Sequence, residues 1–193
     1  MKIIGITGSI GCGKTYLADI IKSMGYSVYN PDFWVRNLYK KKDFLYVIKK
    51  YFPTTFDADD VFNKRKLREI VFNDNKQLKI LESIIHPFLK RKLKKIINKF
   101  AQKNDFLFLD VALLLEMKWN KYCDYIIVAD VEKEIQIQRV MKRDNIKRED
   151  VEKIIAVQTD NLIKYSAADY IINTALPDGI NKIQIIKFLQ EIQ

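Results

Sequence analysis

The chain is poor in cysteine. It has two in 193 residues, Cys12 and Cys123, without metal-ligand spacing. A zinc site is therefore not expected, and a reducing cytoplasm is the simplest setting. No run of about 18 apolar residues occurs, so no membrane-spanning helix is expected. The N-terminus lacks a basic stretch followed by an apolar one and a cleavage site, so no signal peptide is expected either. Arginine is scarce, with 7 of the 34 basic residues against 27 lysines. Internal repeats and low-complexity stretches are also missing. What is present is 48% apolar and 30% charged residues, the composition of one globular domain, with or without insertions. The net charge is +10. Nucleic-acid binding is one reading of that charge. A lysine-biased composition, spread over several helical segments, is the plainer one. A modest positive field also suits small polyanionic substrates. Neither a nucleic-acid nor a membrane partner is expected.

The informative stretch runs from Ile3 to Thr15. A short apolar run leads straight into Gly8-Ser9-Ile10-Gly11-Cys12-Gly13-Lys14-Thr15, the Gly-x-x-x-x-Gly-Lys-Thr of a phosphate-binding loop. Glycines let the backbone approach a ligand, and consecutive amides then point at phosphate oxygens. A helix beginning near Gly13 adds the positive end of its dipole. Lys14 reaches the terminal phosphates, and the Thr15 hydroxyl suits Mg²⁺. Residues 8–16, ending at Tyr16, are thus the candidate nucleotide site. A disulfide at Cys12 would obstruct it.

Five apolar runs read as buried parallel strands: 2–7, 27–30, 106–110, 125–129 and 170–172. Helical patterns separate them, which implies an α/β sheet with right-handed crossovers. The first helix, about 14–24, places Leu17, Ala18, Ile20 and Ile21 near one face and stops at Gly25. About 75 residues separate the second strand from the third. Helical patterns at about 32–51 and 64–103 fill this gap, with Phe52-Pro53-Thr54-Thr55 as the loop between them. Pro87 should end one helix near Ile85 and start another. The basic run at 90–95 is either a solvated face or a binding face. Helices are expected at about 132–143, 150–165 and 181–190, the last after a Pro177-Asp178-Gly179 turn. The expected organisation is one domain: a core of about 1–30, 105–130 and 166–193, a helical insertion at about 31–104 and a lid at about 131–165.

A phosphate loop alone does not choose among kinase, GTPase and motor. The guanine-reading Asn-Lys-x-Asp is absent, because Cys123 follows Asn120-Lys121-Tyr122. No Asp-x-x-Gly switch follows Asp110, and the chain is small for a motor. A small-molecule kinase remains. It needs a group that orients or deprotonates an acceptor hydroxyl, and cations over the transferred phosphate. Such groups belong beyond the carboxyl ends of parallel strands. Asp32, with Arg36 beside it, is a base or a helix cap. Asp110 belongs to a magnesium shell or is a strand-end cap. Arg139 and Arg143, four apart on one helical face, are lid cations or surface ion-pair partners of residues such as Glu132 and Asp144.

Several motifs in this order resemble the dephospho-CoA kinase family over nearly the whole chain. Thr7 to Thr15 resembles Thr-Gly-Gly-Ile-Gly-Ser-Gly-Lys-Ser. Asn30-Pro31-Asp32 through Arg36 resembles Asp-Ala-Asp-x-x-Ala-Arg, and Leu81 to His86-Pro87 resembles Leu-x-x-Ile-x-His-Pro. Asp110 to Glu116, with Leu114 inside it, resembles Asp-x-Pro-Leu-Leu-x-Glu. Gln136 to Arg143 matches Gln-x-x-Arg-x-x-x-Arg, and Gln158 with Ala168 to Asn173 fits the closing signature. Asn30, Ala112 and Tyr16 depart from the pattern. The resemblance implies a phosphate-loop kinase fold with a five-stranded parallel sheet, and Mg²⁺ and ATP as cofactors. It implies dephospho-CoA as the acceptor, phosphorylated at its ribose 3′-hydroxyl, and a monomer or small homo-oligomer. Another nucleoside or nucleotide kinase of the same fold is the alternative. The resemblance implies that Asp32 is the base, with Lys14 and a lid arginine stabilising charge. It implies an acceptor site at Asp32, Arg36, His86, Asp110, Leu114 and Glu116. For His86, a packing or capping role stays open beside acceptor-site shaping. Mg²⁺ would lie on Thr15 and, through water, Asp110. Adenine would be read by backbone groups near Asn173.

Overall fold

The computed structural model describes residues 1–100, 105–156, 158 and 160–193, apart from the side chains of Asp32 and Phe72. The chain forms two compact units, one of residues 1–30 and 100–193 and one of residues 31–99.

The first unit is built on a five-stranded sheet. Its strands are β1 (Lys2–Thr7), β2 (Ser27–Tyr29), β3 (Phe106–Asp110), β4 (Tyr125–Asp130) and β5 (Tyr170–Asn173), in the order β2-β3-β1-β4-β5. Every pairing is parallel. All five residues of β3 are buried, as a strand covered on both faces requires. Ile4 and Ile6 of β1, Phe106 and Phe108 of β3, and Ile127 of β4 share one face. They pack there with Leu17, Ile20 and Ile21 of α1 (Lys14–Ser23) and with Ile185, Phe188 and Leu189 of the closing helix, Asp178–Glu191. On the other face Gly5 lies so close to the next layer that a Cβ would stand 2.7 Å from Leu114 Cδ2. The helix α1 stops as expected: the Gly25 amide bonds the Lys22 carbonyl and the Tyr26 amide the Ile21 carbonyl, two bonds that satisfy the last carbonyls. Register brings Ile6 opposite Asp110, Thr7 opposite Val128 and Asp130 opposite Asn173. The carboxyl ends of four strands thus share one edge.

The second unit holds α2 (Pro31–Leu38), α3 (Lys42–Tyr51), α4 (Lys64–Asn73) and α5 (Asn75–Phe100). Leu38, Phe44, Ile48, Phe52, Leu67, Val71, Leu81, Ile84, Leu89 and Leu93 are buried in it. Tyr39 stacks on Phe62 with ring centroids 5.4 Å apart, and Phe44 meets Phe88 edge-on at 5.3 Å. Two expectations need correction here. The first helical pattern is two helices, not one. And Pro87 does not end a helix: α5 runs through it unbroken. Only one backbone bond is lost, the one to the carbonyl of Ser83 four residues earlier. Ser83 and Pro87 are both exposed, so water can satisfy that carbonyl. Burial of Leu81 and Ile84 before Pro87, and of Leu89 and Leu93 after it, holds both halves in place. The expected extension over 101–103 lies outside the described residues.

Back in the first unit, the expected lid holds three helices: α6 (Lys133–Asp144), α7 (Arg148–Ala156) and α8 (Asn161–Ser166). The single helix expected over 150–165 is divided, and Asp160 caps its second part by accepting from the Leu162 amide. Val140 and Ile137 of α6 and Val151 of α7 form a small buried cluster, with Ile10 packed against it. The Pro177-Asp178-Gly179 stretch is the start of the last helix, α9, rather than a turn before it.

Candidate active site

The loop between β1 and α1 is held on three sides. Gly11, at φ 74°, lies against α6: a Cβ there would stand 2.6 Å from the Gln136 carbonyl oxygen and 2.7 Å from Val140 Cγ2. Gly13, at φ 83°, lies equally close to Thr174, and a Cβ would stand 3.2 Å from Arg139 Nη1. Neither position admits a side chain, either for space or for backbone conformation. Polar contacts fix the rest. The Ile10 amide donates to Gln158 Oε1 at 2.9 Å, and the Ile10 carbonyl accepts from Gln136 Nε2. Ser9 Oγ donates to Asn161 Oδ1 at 2.7 Å and accepts from Lys164 Nζ at 2.7 Å. The Cys12 carbonyl accepts from Thr174 Oγ1 at 2.6 Å. Burial pushes the Cys12 thiol above its ordinary range, so it is a packing group and not a nucleophile.

At the mouth of the loop, Lys14 Nζ donates to Asp110 Oδ1, and Asn30 Nδ2 donates to Asp110 Oδ2 at 2.6 Å. Asp110 is 2% exposed. Its carboxylate thus holds the lysine in an extended pose, and Asn30 supplies a neutral donor where a second acid would repel it. Asp110 is no bare strand-end cap. Thr15, exposed in the first turn of α1, offers a hydroxyl to solvent. Among the described residues no three His, Cys, Asp or Glu side chains form a metal cluster. Magnesium carried on phosphates keeps most of its waters and needs one or two protein ligands, so the Thr15 hydroxyl and the Asp110 carboxylate are of a kind that fits that ion.

The two arginines of α6 have different surroundings. Arg139 donates to Thr174 Oγ1 and to the Thr174 carbonyl, both at 3.0 Å, beside Gly13. Arg143 is exposed and makes a two-pronged pair with Asp144 at 2.7 and 2.8 Å. That pair raises the guanidinium's pKa and lowers the carboxyl's. Arg143 is therefore the surface ion-pair residue of the two in this structure. Tyr16 bonds Asp178 through its hydroxyl and accepts from Asn181 Nδ2 at 3.3 Å, tying α1 to the start of α9. Asn173 turns its carboxamide oxygen onto the Ala175 amide at 2.9 Å. Glu116 is exposed. Leu114 needs correction as an acceptor contact. It is 0% exposed and fills the space over Gly5, so its part is packing. A cleft of ≈ 560 Å³ beside the loop is walled by Ser9, Lys133, Gln136, Gln158, Tyr165 and Asn173.

In the second unit, Asp32 lies in the first turn of α2. The helix opens at Pro31, one residue before Asp32. Its side chain lies outside the described residues. Arg36 is exposed in the last turn of the same helix. With Lys64 and Arg68 it rims a cleft of ≈ 270 Å³ floored by Val35, Leu67 and Leu81. His86 is half-buried in α5. Sequence reasoning missed Lys64 and Arg68 here, and Asn161, Lys164 and Thr174 around the loop. Gln136 and Gln158 stood in recognised motifs without a role. The other five carried no signal that spacing could expose.

The family model for dephospho-CoA kinase matches residues 2–177. A dephospho-CoA kinase of Bartonella henselae is 41% identical over 175 residues, covering 90% of this chain and 89% of the relative. A solved protein of Thermus thermophilus superposes with a TM-score of 0.86 at 27% identity, covering 100% of this chain and 98% of its own. Dephospho-CoA kinase from Campylobacter jejuni superposes with a TM-score of 0.68 at 24% identity, covering 98% and 96%.

Proposed function

The chain belongs to the dephospho-CoA kinase family, and on that premise we propose that it moves the γ-phosphoryl group of ATP to the ribose 3′-hydroxyl of dephospho-CoA. The observation that carries this reading at the residue level is the Lys14–Asp110–Asn30 group at the mouth of the phosphate loop. It leaves a cation poised beside a loop whose amides suit phosphate oxygens. The triphosphate lies along residues 8–16. Lys14 leaves Asp110 for the β and γ phosphates as they arrive. Arg139, beside Gly13, adds charge on the nucleotide. Thr15, with Asp110 acting through water, would hold Mg²⁺, which would neutralise phosphate charge.

Asp32 accepts the proton of the acceptor hydroxyl as the phosphoryl group moves. Arg36, Lys64 and Arg68 hold the acceptor's diphosphate, and the apolar floor of their cleft takes its pantetheine arm. A rim of cations over an apolar floor suits a ligand with both parts. The test is ADP release by the protein with ATP and a panel of nucleosides, nucleotides and dephospho-CoA. Release stimulated by dephospho-CoA above every other acceptor is expected. Equal or better stimulation by another nucleoside or nucleotide would overturn the acceptor assignment and leave the kinase.

A further inference from the structure

Lys164 is the buried cation that the reaction above does not use. It belongs to the short helix α8, yet it is 2% exposed and its Nζ reaches Ser9 Oγ at 2.7 Å. Ser9 is the first variable residue of the phosphate loop. Its hydroxyl is held between Lys164 and Asn161, while Gln158 takes the amide of the next residue. Gln158, Asn161 and Lys164 thus grip the outer turn of the loop. A buried ammonium is expensive to keep in the folded chain. A packing role would be met more cheaply by an apolar side chain of the same length.

Resting on the reading of this loop as an ATP site, we propose that Lys164 is a positioning cation for the terminal phosphate of the nucleotide. It holds the Ser9 hydroxyl and sets the outer turn of the loop, and its charge strengthens the field where phosphoryl charge develops. The electrostatics around Lys164 agree. Burial pulls the Lys164 ammonium below the ordinary lysine range although Glu116, Cys12 and Asp160 pull it the other way. A triphosphate beside it favours the protonated form.

The test uses the full chain with Lys164→Met, Lys164→Arg, Ser9→Ala and the Lys164→Met/Ser9→Ala double variant. Magnesium with a non-hydrolysable ATP analogue is the binding probe, and steady-state turnover is measured beside it. Lys164→Met should lower kcat/KM for ATP by about 10²-fold, read well below the melting temperature of each variant. Lys164→Arg should recover most of the loss. Ser9→Ala should lose less, and its effect should be non-additive with Lys164→Met, as expected of groups acting through one contact. Analogue binding at alkaline pH should take up protons in the wild type and fewer in Lys164→Met. Values of kcat/KM within twofold of wild type in Lys164→Met, or additive losses in the double variant, would overturn the proposal. If Lys164→Met does not fold, Lys164→Arg and Ser9→Ala decide: near-wild-type turnover in Ser9→Ala with no recovery in Lys164→Arg rejects it. Analogue binding is measured without an acceptor, so a wrong acceptor assignment would abolish dephospho-CoA turnover while leaving these binding differences readable.

Discussion

The two units differ most in charge. Residues 31–99 carry 18 Lys and Arg against 8 Asp and Glu, whereas the rest of the chain carries 16 of each. The whole net charge of +10 therefore resides in the helical unit. A lysine-biased composition would have spread it over both. The nucleotide half places a few cations with care: Lys14 on Asp110, Arg139 on Thr174, Lys164 on Ser9. The helical half sets three around its small cleft, Arg36, Lys64 and Arg68, within a unit that carries the whole positive surplus. The first arrangement suits stabilising charge at one atom. The second suits drawing in and holding a polyanion, which then needs little geometric precision.

The sharpest break of this division separates turnover from nucleotide binding. Asp32→Asn, in the helical unit, should lower kcat by about 10³-fold with the affinity for a non-hydrolysable ATP analogue unchanged. Lys14→Ala should weaken both. Calorimetry beside a coupled ADP assay reads the two quantities. Asp32→Asn at near-normal turnover would remove Asp32 as the base.

Leu114→Ala should come next in size, with an opposite profile. The side chain is wholly buried over Gly5, so its loss should cost about 2–5 kcal/mol of stability through lost burial and the remaining cavity. KM for dephospho-CoA should not move below the melting range. A large rise in that KM with the melting temperature intact would restore Leu114 to the acceptor site.

The same contrast explains what was legible in the sequence. Parallel strands buried on both faces read as continuous apolar runs, so β1 and β3 could be bounded to the residue from sequence alone. The phosphate loop was legible because its chemistry needs fixed residue types at fixed spacing. The helical unit was harder. Its helices present one apolar stripe each, and their ends depend on tertiary packing, as the split at 38–42 and the unbroken α5 show. The grip on Ser9 was illegible because its partners stand 152 and 155 positions away. Lys164 is one lysine among 27 until the fold buries it.

The cleft cations sharpen the comparison at about tenfold. Arg36→Ala, Lys64→Ala and Arg68→Ala should each raise KM for dephospho-CoA by about 10-fold, which corresponds to ~1.4 kcal/mol, with KM for ATP unchanged. The affinity for dephospho-CoA should also fall with added salt, and fall less steeply in the variants, because exposed charges are screened. A cleft variant that changes KM for ATP alone would place the nucleotide, not the acceptor, in the helical unit.

The smallest expected effect tests Pro87. Its place inside α5 costs one backbone bond at an exposed turn. Pro87→Ala restores a donor for the Ser83 carbonyl. It should raise stability by about 1 kcal/mol, part of the proline penalty being already offset by the stiffer unfolded chain. Thermal melts read that change, and the acceptor KM read beside them decides the role of the preceding residue. If His86 is a packing residue, a more regular helix leaves KM for dephospho-CoA alone. If His86-Pro87 shapes the acceptor site, straightening the turn should raise that KM even as the melting temperature rises. A fall in stability in Pro87→Ala would mean instead that the proline presets a bend on which the packing of Leu89 and Leu93 depends.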